Sequence, residues 1–283
     1  MGPASPPPYT ARFRTREQLK THIKTIDLGT EPEEMRAAFK AMMMGQPPGK
    51  EEVIGGLSGL SVGSGPLKAI WLHGGGYVFG GSNTHTMAAS YLADEIDGRI
   101  FLPDYRLGPE NSWPAPFEDA MTVVGSVDHN IALIGDSAGG HLAIQSALRL
   151  PDKISHLILF SPNTDRTGRS DTRQRNSASD MMNDDETDDR LFRMAIPDLA
   201  RTSPEASPIL ADLTHLPPTT IFVGGDEVLL GDALLFRSAA QKFGRKVDLQ
   251  ILEGESHMFW QWPDIIPAAK ISFIEIREFI EKT

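Results

Sequence analysis

The sequence predicts an α/β architecture, a mostly parallel central sheet with helices on both faces, and three observations carry that reading. Short apolar, β-rich runs recur at 69–72, 100–102, 131–134, 157–160, 219–223 and 249–252, the pattern of strands buried on both faces. Helical patterns lie between several of them, and such alternation builds a parallel sheet. The chain has 283 residues, 40% of them hydrophobic, enough for one large core, so a single domain over 1–283 is expected.

The elements follow in chain order. The opening, MGPASPPPYTARFRTR, is Pro-rich, has no apolar signal-type run and reads as solvated surface. Residues 31–44, EPEEMRAAFKAMMM, place Met35, Phe39, Met42 and Met43 along one helical face. Two readings stay open for that face: ordinary packing, since Met fills irregular gaps, or a cap that lines an acyl pocket. The strand AIWL at 69–72 runs into the glycine-rich stretch WLHGGGYVFGG. Helices are expected over 87–96 and 117–127, a strand at 131–134, a helix over 139–150 and a strand at 157–160. Residues 163–207 are polar with a helical centre near 188–195, and stand outside the alternation as an addition to the sheet. With residues 1–45 they form the expected cap. The acidic run from Asp180 to Asp189 reads as solvated surface. The strand at 219–223, a helix over 231–243, the strand at 249–252 and an amphipathic helix from 268 to about 280 complete the chain.

Composition excludes several function classes. There are 27 basic and 38 acidic residues, a net charge of −11, with no basic cluster, so neither nucleic acid nor an anionic membrane is an expected partner. A small neutral molecule is. The absence of cysteine rules out disulfides, thiolate metal sites and a cysteine nucleophile. No apolar run approaches the length of a membrane span, and a soluble, cytoplasmic protein is the expectation.

The segment GDSAGG at 135–140 sets Ser137 between glycines, after a strand and before a helix. This is the pattern of a nucleophile elbow, although a glycine-flanked serine also occurs in plain turns. A serine hydroxyl is a weak nucleophile and needs a base within reach and donors for the oxyanion formed on attack. HGGG at 73–76 follows a strand and offers successive N–H groups. The matching donor is the N–H of Ala138, at a helix N-terminus whose dipole favours negative charge. The glycine run lacks G-x-G-x-x-G spacing and has no P-loop lysine. Beyond Ser137 stand His141, His156, His215 and His257. Only His257, in the loop GESHMFW, follows both of the last two strands, where the chain order Ser, acid, His puts the base. The acid belongs in VGGDEVLLGD, after the strand at 219–223, which offers Asp226, Glu227 and Asp232. Composition does not choose among them.

Together, HGGG at 73–76, GDSAGG at 135–140, FLPDYRLGPENSWPAPFEDA at 101–120, and GGDEVLLGD followed by GESHMF resemble the hormone-sensitive-lipase-like family of α/β-hydrolases, the microbial carboxylesterases. The resemblance runs from about residue 68 to the C-terminus. It implies the α/β-hydrolase fold with a helical cap, no cofactor or metal, and hydrolysis of small, short-acyl esters through an acyl-enzyme. By position it implies Ser137 as nucleophile, His257 as base, and the N–H groups of Gly75, Gly76 and Ala138 as the oxyanion hole. Aligning the family's acidic motif with Leu229-Leu230 puts Glu227 at the acid, ahead of Asp226, with Asp232 third and read as a helix N-cap. His73, Asp104, Tyr105, Arg106, Glu110 and Asp136 are expected to be structural. Tyr77, Phe259 and Trp260, beside the catalytic loops, are expected either to line the pocket or to pack in the core. The resemblance also implies that a homodimer can form through the strand at 249–252 and the C-terminal helix. An amidase, arylformamidase or lactone hydrolase would use the same residues, and a non-catalytic receptor on this fold would lack the base.

Overall fold

The computed structural model describes residues 13–282; the first twelve residues of the expected cap lie outside that range. All six expected strands form. They are β3 (Leu67–Leu72), β4 (Arg99–Pro103), β5 (Ile131–Asp136), β6 (Ile154–Phe160), β7 (Thr219–Gly224) and β8 (Val247–Leu252). A hairpin that the apolar periodicity does not predict, β1 (Lys50–Ile54) and β2 (Leu57–Gly63), extends the sheet to eight strands in the order β1-β2-β4-β3-β5-β6-β7-β8. From β4 to β8 all pairings are parallel, while β1 and β2 pair antiparallel. The hairpin turns on Gly55-Gly56, both at positive φ (60° and 84°), which two-residue type I′ loops require. Its outer strand carries Lys50, Glu51 and Glu52, charges that blunt an open edge and weaken the apolar alternation by which a strand is read.

The helices are α1 (Arg16–Lys24), α2 (Pro32–Met42), α3 (Thr86–Glu95), α4 (Ala115–Gly125), α5 (Ala138–Arg149), α6 (Thr172–Arg175), α7 (Asp185–Ala195), α8 (Leu230–Lys242) and α9 (Pro267–Glu281). β5 is buried at every residue, as a central parallel strand covered on both faces must be. α3 packs with α9 and α4 packs with α5. No helix among the described residues is long and apolar enough to cross a membrane. β8 is the open edge opposite the hairpin, with Ile251 on it and Ile271 and Ile274 on α9 exposed.

Two segments depart from the strand and helix alternation, the two expected to form a cap. At the start of α2 the Glu34 carboxylate reaches back to accept from the N–H groups of Thr30 and Glu31 at 3.1 and 3.2 Å, one half of a capping box. The helix buries Met35, Phe39 and Met42. Residues 163–207 are tied to the body by charge. The Arg173 guanidinium donates to Asp232 Oδ1 and Oδ2 at 2.9 and 2.8 Å, to Asp188 Oδ2 at 2.5 Å and to Asn163 Oδ1 at 2.9 Å. Arg166 bonds Asp188 as well. All these groups are buried, so removing Arg173 strands carboxylates in a low dielectric. Arg173→Met is expected to lower stability by about 3–5 kcal/mol and the melting temperature by roughly 10 °C, measured by differential scanning fluorimetry; a change of about 1 °C would contradict the assigned role.

This network corrects two expectations. Asp232 is not an N-cap: it sits in the first turn of α8, where its Oδ2 accepts from the N–H groups of Thr164 and Asp165, both at 2.9 Å. The acidic run 180–189 is only partly solvated, because Asp188 is buried between two guanidinium groups that hold its carboxyl below the usual range against the cost of burial.

Candidate active site

Ser137, Glu227 and His257 follow the carboxyl ends of β5, β7 and β8, the end of an open α/β sheet at which ligands bind. Ser137 directly follows β5 and precedes α5, with φ 53° and ψ −117°, a strained conformation for a residue with a side chain. β5 and α5 approach so closely that a Cβ on Gly135 would lie 2.4 Å from the carbonyl oxygen of Gly139, and α5 approaches the end of β3 so closely that one on Gly139 would lie 2.1 Å from that of Leu72. Only glycine fits either place, and the serine is thereby held out at the tip of the turn. Its carbonyl accepts from the N–H of Asn163 at 3.1 Å, and the Asn163 amide reaches Ser137 Oγ at 3.5 Å.

Gly75 and Gly76 follow β3 at φ 118° and 60° and line the same cavity as Ser137 and His257. Ala138 occupies the first position of α5, where an N–H has no partner within the helix. The residues expected to be structural make contacts in and around the glycine loop. The Tyr105 hydroxyl donates to the His73 carbonyl at 2.5 Å and its ring stacks on the His73 imidazole at 4.2 Å. Burial drives the His73 pKa down to about 4, which keeps that imidazole neutral at neutral pH. Asp104 accepts from the Ser82 N–H and hydroxyl, Arg106 pairs with Asp119, and the Trp71 indole donates to Asp136 at 2.8 Å. Arg36 of α2 donates to the carbonyls of Val78 and Gly108 and forks onto Glu110, so one cap helix is fastened to the glycine loop.

His257, in the loop after β8, places its Nδ1 3.7 Å from Oε2 of Glu227, in the loop after β7, an ion-pair separation longer than a hydrogen bond. Glu227 is buried, and its Oε2 also accepts from the Ser161 hydroxyl at 2.8 Å. Asp226 is exposed. Burial pulls the His257 pKa down, but the negative charges of Glu227, Asp180 and Asp136 outweigh it and raise the pKa above the ordinary value.

The cavity in front of Ser137 has a volume of about 240 Å³. Its apolar wall comes from Ile23, Leu28, Phe39, Met42, Phe79 and Leu191. The Met-rich face of α2 therefore divides: Phe39 and Met42 meet the cavity, while Met35 and Met43 are buried outside its lining. Tyr77, Phe259 and Trp260 do not line it and pack in the core instead. Tyr77 is buried edge-on to His141 at 5.8 Å. After His257 the chain turns at Met258 (φ 64°) into a single 3₁₀ turn, Phe259–Gln261, which seats Trp260 on Phe160 at 5.1 Å and edge-on to His257 at 5.5 Å. In place of those aromatics, Met181, Met182 and Met258 complete the wall. Sequence reasoning missed Ser161, Asn163 and Asp180, three polar groups that reach Glu227, Ser137 and His257 respectively.

A family profile described as an alpha/beta hydrolase fold matches residues 69–261. An esterase of Acinetobacter venetianus is 32% identical over 219 residues, which span 74% of this chain and 72% of that protein. An acetyl-hydrolase of Streptomyces hygroscopicus is 34% identical over 206 residues, 68% of each chain. Among solved structures, an esterase from the bacterial hormone-sensitive lipase family superposes with a TM-score of 0.88 at 26% identity, covering 99% of both chains.

Proposed function

Because the chain belongs to the hormone-sensitive-lipase-like family of α/β-hydrolases and is a carboxylic ester hydrolase, we propose that it cleaves small, short-acyl esters with Ser137, His257 and Glu227. The observation that carries this reading is the strained Ser137 at the end of β5, opening on one cavity with Gly75, Gly76 and His257. His257 takes the proton from Ser137 Oγ as that oxygen attacks the ester carbonyl. The negative charge that develops on the carbonyl oxygen is met by the N–H groups of Gly75, Gly76 and Ala138. Glu227 holds the imidazole tautomer and stabilises the imidazolium, which then protonates the departing alcohol. Water repeats the sequence on the acyl-enzyme and returns Ser137.

Two features of the cavity support the substrate class. A volume of about 240 Å³ falls below the roughly 300–1,000 Å³ of drug-sized sites, which suits an acyl chain of a few carbons. No lysine or arginine is among the described residues lining it, whereas Asp180, Asp184 and Asp188 are, so nothing there pairs with an anionic acyl group. The test combines two measurements. A fluorophosphonate probe should add its mass to the peptide carrying Ser137, and kcat/KM for p-nitrophenyl butyrate should exceed that for the dodecanoate and for the mono-succinate ester by about tenfold or more. Label on another residue would refute the nucleophile, and a preference for the long or anionic acyl group would refute the substrate class.

A further inference from the structure

The polar segment between β6 and β7 reaches further into the catalytic machinery than a lid over a pocket requires. Between α6 and α7 it crosses both loops that carry the base and its acid. The Asn176 amide donates to the Glu227 carbonyl at 2.9 Å and the Ser179 hydroxyl to the Asp226 carbonyl at 3.0 Å. Between these two anchors and α7 lies Asp180, whose carboxylate accepts from three directions. Oδ1 takes the N–H of Met182 at 3.0 Å and the N–H of His257 itself at 3.2 Å, and Oδ2 takes the N–H of Val228, the residue after Glu227, at 3.1 Å. The same carboxylate lines the cavity with Ser137 and His257.

We propose that Asp180 is a positioning residue for the base: delivered by the cap, its carboxylate clamps the loops of Glu227 and His257 to each other and presents a second negative charge to the imidazole. The inference rests on the reading of His257 as the base. Both loops end different strands, and their relative placement decides whether His257 Nδ1 meets Glu227. A group bonded to the backbone N–H on each loop fixes that placement as no contact within either loop can. The charge acts through the imidazole. Three carboxylates face His257: Glu227 from the loop after β7, Asp180 from the cap and Asp136 from the end of β5. The Asp180 carboxyl is itself pushed up to about 6, first by burial and further by Glu227, against the opposing pull of His257. Asp180 and His257 are opposite charges facing one another, so each is expected to appear in the other's titration.

The sign of the pH effect follows. The base works only when its imidazole is neutral, so the acidic limb of kcat/KM marks its loss of a proton in the free enzyme. An anion at position 180 favours the imidazolium and holds that limb high. Asp180→Asn removes the charge, and its NH₂ can no longer accept one of the two loop N–H bonds. The limb should then move to lower pH by about half a unit, leaving roughly threefold more activity, relative to the plateau, on its acid side. The plateau itself should fall about tenfold from lost positioning.

Ser179→Ala is the comparison that separates charge from clamp. It breaks a bond between the same segment and the acid loop without altering charge, and should leave the limb in place. An unmoved limb in Asp180→Asn, or an equal shift in Ser179→Ala, would overturn the proposal. For the case in which Asp180→Asn folds poorly, the unaltered protein supplies the second measurement. The His257 ring nitrogen shifts, followed by NMR, should titrate in two steps, one coincident with the Asp180 carboxyl carbon; a step unconnected to Asp180 would overturn the proposal equally. Failure of the underlying reading has a different signature, since Ser137 would then escape the fluorophosphonate and His257→Ala would retain its rate.

Discussion

Ser137→Ala should lower kcat for p-nitrophenyl acetate by about five orders of magnitude, while Ser137→Gly, expected to be equally inactive, should melt a few degrees above it. The first expectation follows from how a triad works. Its members act as a unit, so loss of the nucleophile removes about what loss of all three would, and a residual rate of about 10³–10⁴ over water remains from the oxyanion donors. The second follows from the backbone. At φ 53° and ψ −117°, a residue with a Cβ is strained by about 1–3 kcal/mol. Alanine keeps that strain. Glycine relieves it and gives back about 0.5–1 kcal/mol through the greater freedom of its unfolded chain. The difference, on the order of 1 kcal/mol, corresponds to about 2–4 °C. Residual activity of Ser137→Ala above about one per cent, in a preparation free of revertant, would remove Ser137 from the mechanism. A Ser137→Gly variant melting below Ser137→Ala would remove the strain argument and leave the chemistry standing.

The parts of this molecule that are legible in its sequence are those governed by local rules. The strands β3 to β8 announce themselves as apolar runs, because a parallel strand covered on both faces has no polar side to show. Ser137 is legible because the close packing of α5 on β5 demands Gly135 and its packing on the end of β3 demands Gly139. The hairpin β1-β2 is not, since its outer strand carries its charges in sequence where alternation would be sought; the Gly55-Gly56 pair was the available signal. Asp188 and Asp180 are illegible for a different reason. An acidic run reads as surface unless the partners are known, and theirs, Arg166 and Arg173 for the one and the Val228 and His257 N–H groups for the other, lie elsewhere in the chain or on the backbone. The pocket aromatics failed at the turn of Met258, whose positive φ is followed by Phe259 and Trp260 packed on Phe160 and out of the cavity lining, a change of direction that no side-chain pattern records.

Glu227 and Asp226 are adjacent in sequence, and exchanging each for its amide separates them by function. Glu227→Gln should cost about 10³-fold in kcat/KM, roughly 4 kcal/mol of transition-state stabilisation, and Asp226→Asn less than about twofold. Asp226 is exposed, and its backbone N–H donates to the Glu255 carbonyl while its carbonyl accepts from Ser179. An amide there changes neither. Glu227 is buried with Oε2 serving both Ser161 and His257, while Oε1 has no partner among the described residues. A glutamine can place its oxygen where Oε2 stands and keep the Ser161 bond, leaving its NH₂ unpaired; the imidazole then keeps its tautomer and loses the negative charge that stabilises the imidazolium. The opposite rotamer presents the NH₂ to Nδ1, forces the proton onto Nε2 and leaves the base unable to accept from Ser137. Either way the loss falls on kcat rather than KM, because the charge is needed only once the proton has moved. Asp180 faces the same imidazole, so the two losses should not add: Glu227→Gln combined with Asp180→Asn should cost less than the product of the single effects, as expected of groups acting through one residue. Strict additivity, or a larger loss from Asp226→Asn than from Glu227→Gln, would move the acid away from Glu227.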